Sequence, residues 1–323
     1  LALALGFVLS LVLNFANAFA FTYPYTLPVM RGMGWAVYLA AALLAGLGAV
    51  IPAAPAGELN RPPVQSVPVM LGMLAGVVVA VVAVWPRPVT TFSESGRVRV
   101  ATYNIHYGYD DDWHLSLEAI AETSEESSAD IIAMQEVDAG RMTSYGVDTG
   151  YYLARRLGMN LLYLPTVEHL TGIALLYRDP AMLTEGALIT SLQEQTGIVH
   201  AQVEVSGEAL HAYGIWMGLS DEDTQTQIQE ALVFIGDNSP AVFGGDFNAE
   251  PGSPVAQAVE EAGFVDPFVV LGIDPAPLTS PAVNPEERID FVWVRGVTPI
   301  AAWAPDSLAS DHRMVVIEVE LAP

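Results

Sequence analysis

Five short clusters of polar residues carry the side chains of this sequence that could do chemistry together. Each lies where a run of β-branched or aromatic residues ends or is about to begin, and such strand ends present polar groups rigidly to a shared crevice. Any one cluster alone is more often a turn, because Asn and Asp cap turns routinely. The clusters are Asn104-Ile105-His106, Gln135-Glu136-Val137, Gly245-Asp246-Phe247-Asn248, Arg288-Ile289-Asp290-Phe291 and Ser310-Asp311-His312. Together they predict one shared site.

The donor atoms in these clusters limit the chemistry that the site could perform. The chain contains no cysteine, which excludes disulfides, zinc–thiolate sites and cysteine nucleophiles. The donors that remain are mainly carboxylate and amide oxygens, which suit Mg²⁺ or Mn²⁺ better than zinc. A histidine held by a carboxylate would act on a proton near neutral pH. We therefore expect metal-assisted proton-transfer chemistry.

In their order along the chain, the five motifs resemble the signature motifs of the endonuclease/exonuclease/phosphatase superfamily. This superfamily includes DNase I, exonuclease III, sphingomyelinases and inositol-phosphate phosphatases. The resemblance runs from residue 97 to residue 321. It implies an α/β fold of the DNase I type, a four-layer α/β/β/α sandwich with two mostly antiparallel sheets face to face. It also implies hydrolysis of a phosphoric ester with Mg²⁺ or Mn²⁺ as the cofactor.

The resemblance implies three metal ligands. Glu136 matches the position of the main ligand, and Asn104 and Asp311 match positions near the same ion. The ion would neutralise charge on the phosphoryl oxygens.

Four further positions match catalytic residues of the superfamily. Asp246 is expected to orient the attacking water and Asn248 to contact the phosphate. His312 is expected to pair with Asp290. His106 belongs to the first motif but is expected to be structural.

One position departs from the superfamily pattern. Many members have a histidine in a run like Thr-His-Leu-Gly-Leu-Ser, and the matching run here, residues 215–220, places Trp216 at that position. An indole donates one hydrogen bond and cannot carry a proton, so protonation of the leaving group is put in question. His211 lies on the opposite face of the same predicted strand and is a poor substitute. Trp216 and Arg178 are expected to border the substrate.

The chain divides into two parts with different charge. Residues 1–90 carry three Arg and one acidic residue, whereas residues 91–323 carry nine Arg and 36 acidic residues. Apolar stretches at residues 1–21, 29–52 and 67–85 each have about the length that crosses a bilayer. We therefore predict a membrane region over 1–90, of about three helices and truncated at its N-terminus, and a catalytic domain over 91–323. The arrangement is distantly similar to membrane proteins that remodel the lipid of GPI anchors.

The side of the membrane is left open by the sequence. Arg31 and Arg87 would fall on one side and Arg61 on the other, which favours a cytoplasmic domain under the positive-inside rule. Superfamily precedent favours an extracytoplasmic domain instead. The oligomeric state is also open.

After residue 88 the sequence alternates short β-branched runs with helical segments. We predict strands at 98–104, 130–135, 172–177, 241–243, 289–294 and 314–321. Residues 198–217 predict a hairpin turned at Ser206-Gly207. Helices are predicted at 115–127 and 225–235, and Ser253 predicts the cap of a third that begins with Pro254 and ends at Gly263.

These observations predict a membrane-anchored, metal-dependent phosphodiesterase or phosphatase. Its substrate is expected to be a phosphate ester, with a lipid-linked or head-group phosphate as the leading candidate. The net charge of −25 disfavours long nucleic acid as a partner. Two alternatives stay open: a catalytically impaired binding module, which Trp216 favours, and an envelope nuclease.

Overall fold

The computed structural model describes residues 6–9, 11–12, 39–40, 43, 66–84, 88–89, 96–141, 143–167 and 170–321. Most of the first two predicted membrane segments lies outside these residues. The third is helix α1 (Ser66–Val84), a run of 19 residues without a charged side chain. Counted over the residues that are described in full, no helix is long and apolar enough to cross a membrane. The membrane region therefore stays a prediction.

Residues 96–321, where the structure describes them, fold into one sandwich. Its helices are α2 (Leu117–Ser127), α3 (Thr149–Leu157), α4 (Asp221–Ile235), α5 (Pro254–Glu261) and α6 (Pro267–Val270). Its strands are β1 (Arg97–Asn104), β2 (Ile131–Asp138), β3 (Asn160–Val167), β4 (Thr171–Tyr177), β5 (Ala181–Ile189), β6 (Thr196–Val205), β7 (Glu208–Trp216), β8 (Ala241–Asp246), β9 (Asp290–Arg295), β10 (Val297–Trp303) and β11 (Val315–Leu321).

The strands form two mixed sheets. The first has the order β10-β11-β1-β2-β4-β3, and the second has the order β5-β6-β7-β8-β9. Among the described strands, β1 with β2 and β7 with β8 pair in parallel. The other pairs are antiparallel. The expected α/β fold with two mostly antiparallel sheets is confirmed.

The sheets pack face to face through apolar side chains. Val100 and Leu175 from the first sheet share one buried cluster with Val199 and Ala212 from the second. The helices α2 and α3 bury apolar residues against the outer face of the first sheet. The helices α4 and α5 do the same on the second sheet. Because each sheet is buried on both faces, the interior strands are almost continuously apolar, which is why the sequence revealed them.

The predicted hairpin is formed by β6 and β7. Its turn uses Ser206 and Gly207, whose φ angles of 53° and 87° suit a tight hairpin connection. The predicted cap of α5 is also confirmed, because the Ser253 side chain accepts a hydrogen bond from the backbone N–H of Ala256.

Three strands were not predicted, and all three lie at sheet edges. β3, β5 and β10 are terminal in the strand order and are largely exposed or half-buried. An edge strand needs little buried surface, so its sequence carries a weak periodic signal.

Candidate active site

The five polar clusters meet at one end of the sandwich. Asn104 ends β1 beside Gln135 of β2, and Asp246 ends β8 directly opposite Asp290 of β9. The residues there enclose a cavity of about 400 Å³. Its lining consists of Tyr107, Glu136, Gln193, Glu194, Thr196, Trp216, Met217, Gly218, Leu219, Asp246, Asn248, Asp311 and His312. Both sheets therefore contribute to one site.

Asn104 links two carboxylates from different sheets. Its amide Nδ2 donates to Glu136 Oε1 at 3.1 Å and to Asp246 Oδ2 at 3.0 Å. Its Oδ1 accepts a hydrogen bond from the backbone N–H of His106 at 3.0 Å. This fixes the side chain between the sheets and holds Glu136 close to Asp246.

Glu136 reaches the cavity through an irregularity in β2. The pairing of β2 with β4 shifts register between Met134 and Val137, and Glu136 has a φ of 55°. A bulge of this kind redirects a side chain at some cost in backbone strain. Burial raises the pKa of Glu136 to about 8. The nearby Asp311 and Asp246 carboxylates also raise this pKa, whereas the Asn104 hydrogen bond and His312 lower it.

Asp290 and His312 form the predicted pair. Asp290 is fully buried, and its Oδ2 lies 2.9 Å from His312 Nδ1. Burial alone would lower the pKa of His312, but Asp290, Asp246 and Asp311 outweigh it and hold the pKa well above its ordinary value. This favours the charged imidazolium, in which both ring nitrogens can donate hydrogen bonds.

Asp246 ends β8, and Asn248 lies on the turn that follows it. The backbone N–H of Asn248 donates to Asp246 Oδ1 at 3.1 Å, and its side-chain Nδ2 donates to the Met217 carbonyl at 2.8 Å. Burial raises the pKa of Asp246 to about 7, with a further contribution from Asp290. Asp246 can therefore gain and lose a proton near neutral pH.

The carboxylate cluster fits a divalent cation. Asp246, Asp290 and His312 offer ligand atoms that all lie within 4.8 Å of one another. Asp290 Oδ1 is buried and has no hydrogen-bond partner within the part of the chain that the structure describes. Glu136, bridged to Asp246 by Asn104, adds a further oxygen donor. Buried carboxylates gathered without enough hydrogen-bond donors are what a bound cation would neutralise.

Asp311 and His106 lie at the edge of this cluster. Asp311 lines the cavity, and its Oδ2 lies 3.7 Å from His106 Nε2. The His106 ring is buried and packs against Trp113, with 4.3 Å between ring centroids. His106 does not line the cavity, in agreement with its predicted structural role.

Trp216 lies in the cavity wall where the superfamily pattern has a histidine. It ends β7, pairs in register with Asp246 of β8, and is 5% exposed. Its indole packs into the apolar cluster between the sheets. The cavity therefore has an apolar wall beside Asp246.

Arg178 is placed differently from the prediction. Its backbone N–H bonds the Asp130 carbonyl before β2 begins, and its guanidinium donates to the carbonyls of Ala129 and Leu157. Asp130 is six residues before Glu136, or roughly 20 Å along a strand. Arg178 therefore fastens the opposite end of the first sheet and does not line this cavity.

Part of the cavity lining could not be predicted from the sequence. Tyr107, Gln193, Glu194 and Thr196 line the cavity. Tyr107 follows the first motif, and the other three lie at the junction of β5 and β6. Because β5 is an edge strand without clear alternation, nothing in the sequence placed that junction beside Trp216.

The family model described as "Endonuclease/Exonuclease/phosphatase family" matches residues 101–312. Among solved structures, a protein of this description from Beutenbergia cavernae is 20% identical with a TM-score of 0.56, covering 70% of this chain and 72% of its own. The human Nocturnin catalytic domain with bound sulfate is 20% identical with a TM-score of 0.57, covering 70% of this chain and 94% of its own. A mannosyl-6-phosphatase from Bacteroides thetaiotaomicron is 15% identical with a TM-score of 0.57, covering 69% of this chain and 99% of its own.

Proposed function

Because this chain belongs to the endonuclease/exonuclease/phosphatase family, we propose that it is a metal-dependent phosphoesterase, a phosphodiesterase or a phosphatase. The observation that carries the proposal is that residues of three motifs line one cavity, while Asn104 and Asp290 from the other two motifs hydrogen-bond to lining residues. Asn104, Glu136, Asp246 and His312 come from four separate segments, yet they lie within hydrogen-bonding or electrostatic reach of one another.

The cation would be held by oxygen donors, with Glu136 as the main ligand and Asn104 and Asp311 nearby. Asp246 and Asp290 offer further oxygens to the same region. Oxygen donors of this type favour Mg²⁺ or Mn²⁺. When bound, the ion supplies positive charge that stabilises the phosphoryl oxygens as the ester bond breaks.

The protein's own side chains divide the remaining tasks. Asp246, whose pKa is raised to about 7, orients the attacking water and accepts its proton. His312, charged and fixed by Asp290, donates a hydrogen bond to a phosphoryl oxygen. Asn248, held by the Met217 carbonyl, contacts the phosphate.

We also propose that residues 1–90 anchor the domain to a membrane. The apolar helix α1 ends at Val84, and Val89 is already bound to the domain: its N–H donates to Asn160 Oδ1 at 2.8 Å, and Asn160 Nδ2 donates back to its carbonyl at 3.0 Å. Five residues reach at most about 18 Å. The domain would therefore stay close to the end of α1.

This attachment bears on the substrate. Asn160 pairs with Tyr177, and Tyr177 pairs with Ile131 at the start of β2, so the attachment lies at the end of the first sheet away from Glu136. The cavity then lies at the end of the first sheet far from the anchor. A lipid-linked phosphate that extends from the bilayer suits this arrangement better than a head group beside the anchor. A phosphorylated sugar, the substrate class that the name of the Bacteroides protein gives, suits it as well.

The alternatives are disfavoured by specific observations. A binding module without activity would not need a charged His312–Asp290 pair beside a titratable Asp246. An envelope nuclease acting on long DNA would face the repulsion of a chain with net charge −25.

The proposal is tested with the full chain, in Mg²⁺ or Mn²⁺, on an aryl phosphodiester, mannose 6-phosphate, phospholipid vesicles and DNA. Asp246→Asn should lower kcat by at least about 100-fold, because it removes the group that takes the proton from water. Asp237→Asn, at an exposed position, is the matched control and should leave the rate unchanged. Wild-type-like activity in Asp246→Asn, or no metal-dependent turnover of any phosphate ester, would contradict the proposal.

A further inference from the structure

Among the described residues of the site, neither Trp216 nor His312 is placed to protonate the leaving group. Trp216 occupies the wall position beside Asp246 and has no proton to transfer at any accessible pH. His312 lies on the same side as Asp246, with which it shares a cluster only 4.8 Å across. In-line displacement places the leaving oxygen opposite the attacking one. A proton donor is therefore needed across the cavity from Asp246.

Glu194 is a carboxyl group in the required part of the cavity. It lies in the connection between β5 and β6, two residues before Thr196, and both line the cavity. Gly197 of β6 pairs with Trp216 of β7, and Trp216 pairs with Asp246 of β8. Two strand spacings separate β6 from β8, or about 10 Å. The span from β6 to β8 therefore has room for a phosphoryl group between Asp246 and the connection that carries Glu194.

The segment that carries Glu194 is fixed to the neighbouring helix α4. The backbone N–H of Thr190 donates to Glu230 at 2.7 Å, and that of Leu192 donates to Asp223 at 2.7 Å. Gln195 Nε2 bonds the carbonyls of Ile189 and Thr196 at 2.7 and 2.9 Å. Gln193 and Glu194 are the residues of this connection that line the cavity, and of the two Glu194 carries the carboxyl group.

The surroundings of Glu194 favour its protonated form. No hydrogen bond stabilises its carboxylate among the residues that the structure describes. Burial raises the pKa of Glu194 to about 7; Arg141 opposes this and Asp138 adds to it. Tyr107, the other acidic lining group nearby, is unsuited to the task because burial raises its pKa well above 10.

We propose that Glu194 is the proton donor to the leaving group, the catalytic role that the missing histidine leaves unfilled. This inference rests on the proposed phosphoesterase function. As the water oxygen bonds to phosphorus, the bond from phosphorus to the ester oxygen breaks, and its electron pair passes to that oxygen. The Glu194 carboxyl proton moves to the same oxygen, which departs as an alcohol. The resulting Glu194 carboxylate regains a proton from solvent before the next turnover.

The leaving-group dependence of Glu194→Gln tests the role. We would measure kcat/KM of the full chain with Mg²⁺ on a series of methyl aryl phosphodiesters and one dialkyl phosphodiester. An alkoxide needs protonation to leave, whereas p-nitrophenolate does not. Glu194→Gln should lower the rate at least 100-fold for the dialkyl ester and less than threefold for the p-nitrophenyl ester. Glu194→Gln combined with Trp216→His should recover part of the lost rate on the dialkyl ester.

Glu185→Gln provides the matched control, because Glu185 is partly exposed on β5 and belongs to a different set of contacts, with His200. Glu185→Gln should have the same small effect on the rate for every leaving group. If Glu194→Gln lowers the rate equally for all leaving groups, Glu194 has a structural role. If Glu194→Gln lowers no rate, Glu194 has no role in the reaction. Either result, obtained with an active wild type, overturns the inference. If the wild type hydrolyses neither these diesters nor a phosphate monoester such as mannose 6-phosphate, the proposed function fails together with this inference; if it hydrolyses only the monoester, this inference alone fails.

Discussion

At the scale of single residues, the site is defined by carboxylates that are crowded together. Asn104 donates hydrogen bonds to both Glu136 and Asp246. The buried Asp290 contacts His312, and one of its carboxylate oxygens has no hydrogen-bond partner among the described residues. Gathering like charges in a buried place costs stability. Such an arrangement persists when the charges have a use, here the binding of a cation and the transfer of a proton.

This crowding of carboxylates makes the stability of the metal-free protein depend on pH. The pKa of Glu136 is raised to about 8, so between about 4.5 and 8 the folded state binds more protons than the unfolded state. The stability of the metal-free chain should therefore fall as pH rises through that window. Glu136→Gln should reduce this slope and raise the Tm at pH 8 in EDTA.

Addition of Mg²⁺ should reverse the order of the two proteins. The wild type should gain stability with the ion, because binding to the folded state adds to the free energy of unfolding. Glu136→Gln should gain little. Both Tm series are measured by calorimetry, and an identical response of the two proteins to Mg²⁺ would exclude Glu136 as a ligand.

At the scale of elements, the sheets approach closely where they carry small residues. A Cβ on Gly244 of β8 would lie 3.3 Å from Ala133 Cβ and 3.4 Å from Thr102 Cβ of the opposite sheet. Both distances are tighter than ordinary contact. The small side chains therefore allow the ends of β1, β2 and β8 to share one cavity.

Gly244→Val should destabilise the domain by about 1–3 kcal/mol, because the added methyl groups overpack the space between the sheets. It should also lower activity, since β8 carries Asp246. Gly96→Val is the control, because a Cβ there meets only the Leu321 carbonyl at 3.9 Å. Urea denaturation gives both free energies of unfolding, and equal values would contradict the close packing.

Some of the strands and turns could be predicted from the sequence, and others could not. The interior strands and the turn at Ser206-Gly207 were recognisable because burial and turn geometry constrain their residue types. The edge strands β3, β5 and β10 were not, because few side chains there are buried. The same gap hid Glu194, which follows β5. Arg178 was predicted at the substrate because the sequence shows that it follows β4. The sequence does not show which end of the sheet β4 reaches.

At the scale of the whole molecule, the described chain has its attachment and its cavity at different ends of the first sheet. Residues 88–89 are bound at Asn160, whereas Glu136 lies towards the far end of β2. The proposed anchor would hold the cavity at a distance from the membrane surface. This favours substrates that extend into water.

Asn160→Ala should release this attachment, because it removes both hydrogen bonds to Val89. Hydrogen–deuterium exchange of the peptide containing Val89 should become faster, while peptides from β8 keep their wild-type rate. Asn238→Ala, which removes a bond to Tyr213 elsewhere, is the control. Unchanged exchange at Val89 would show that the linker is held by other contacts.

The measurement that tests the central claim most directly is hydrolysis of a phosphate ester by the full chain in H₂¹⁸O, with Mg²⁺ and with EDTA. The account predicts one ¹⁸O atom in the phosphoryl product, none in the alcohol, and turnover only with the ion, because water attacks phosphorus with metal assistance. Incorporation of ¹⁸O into the alcohol, or the same rate in EDTA, would contradict it.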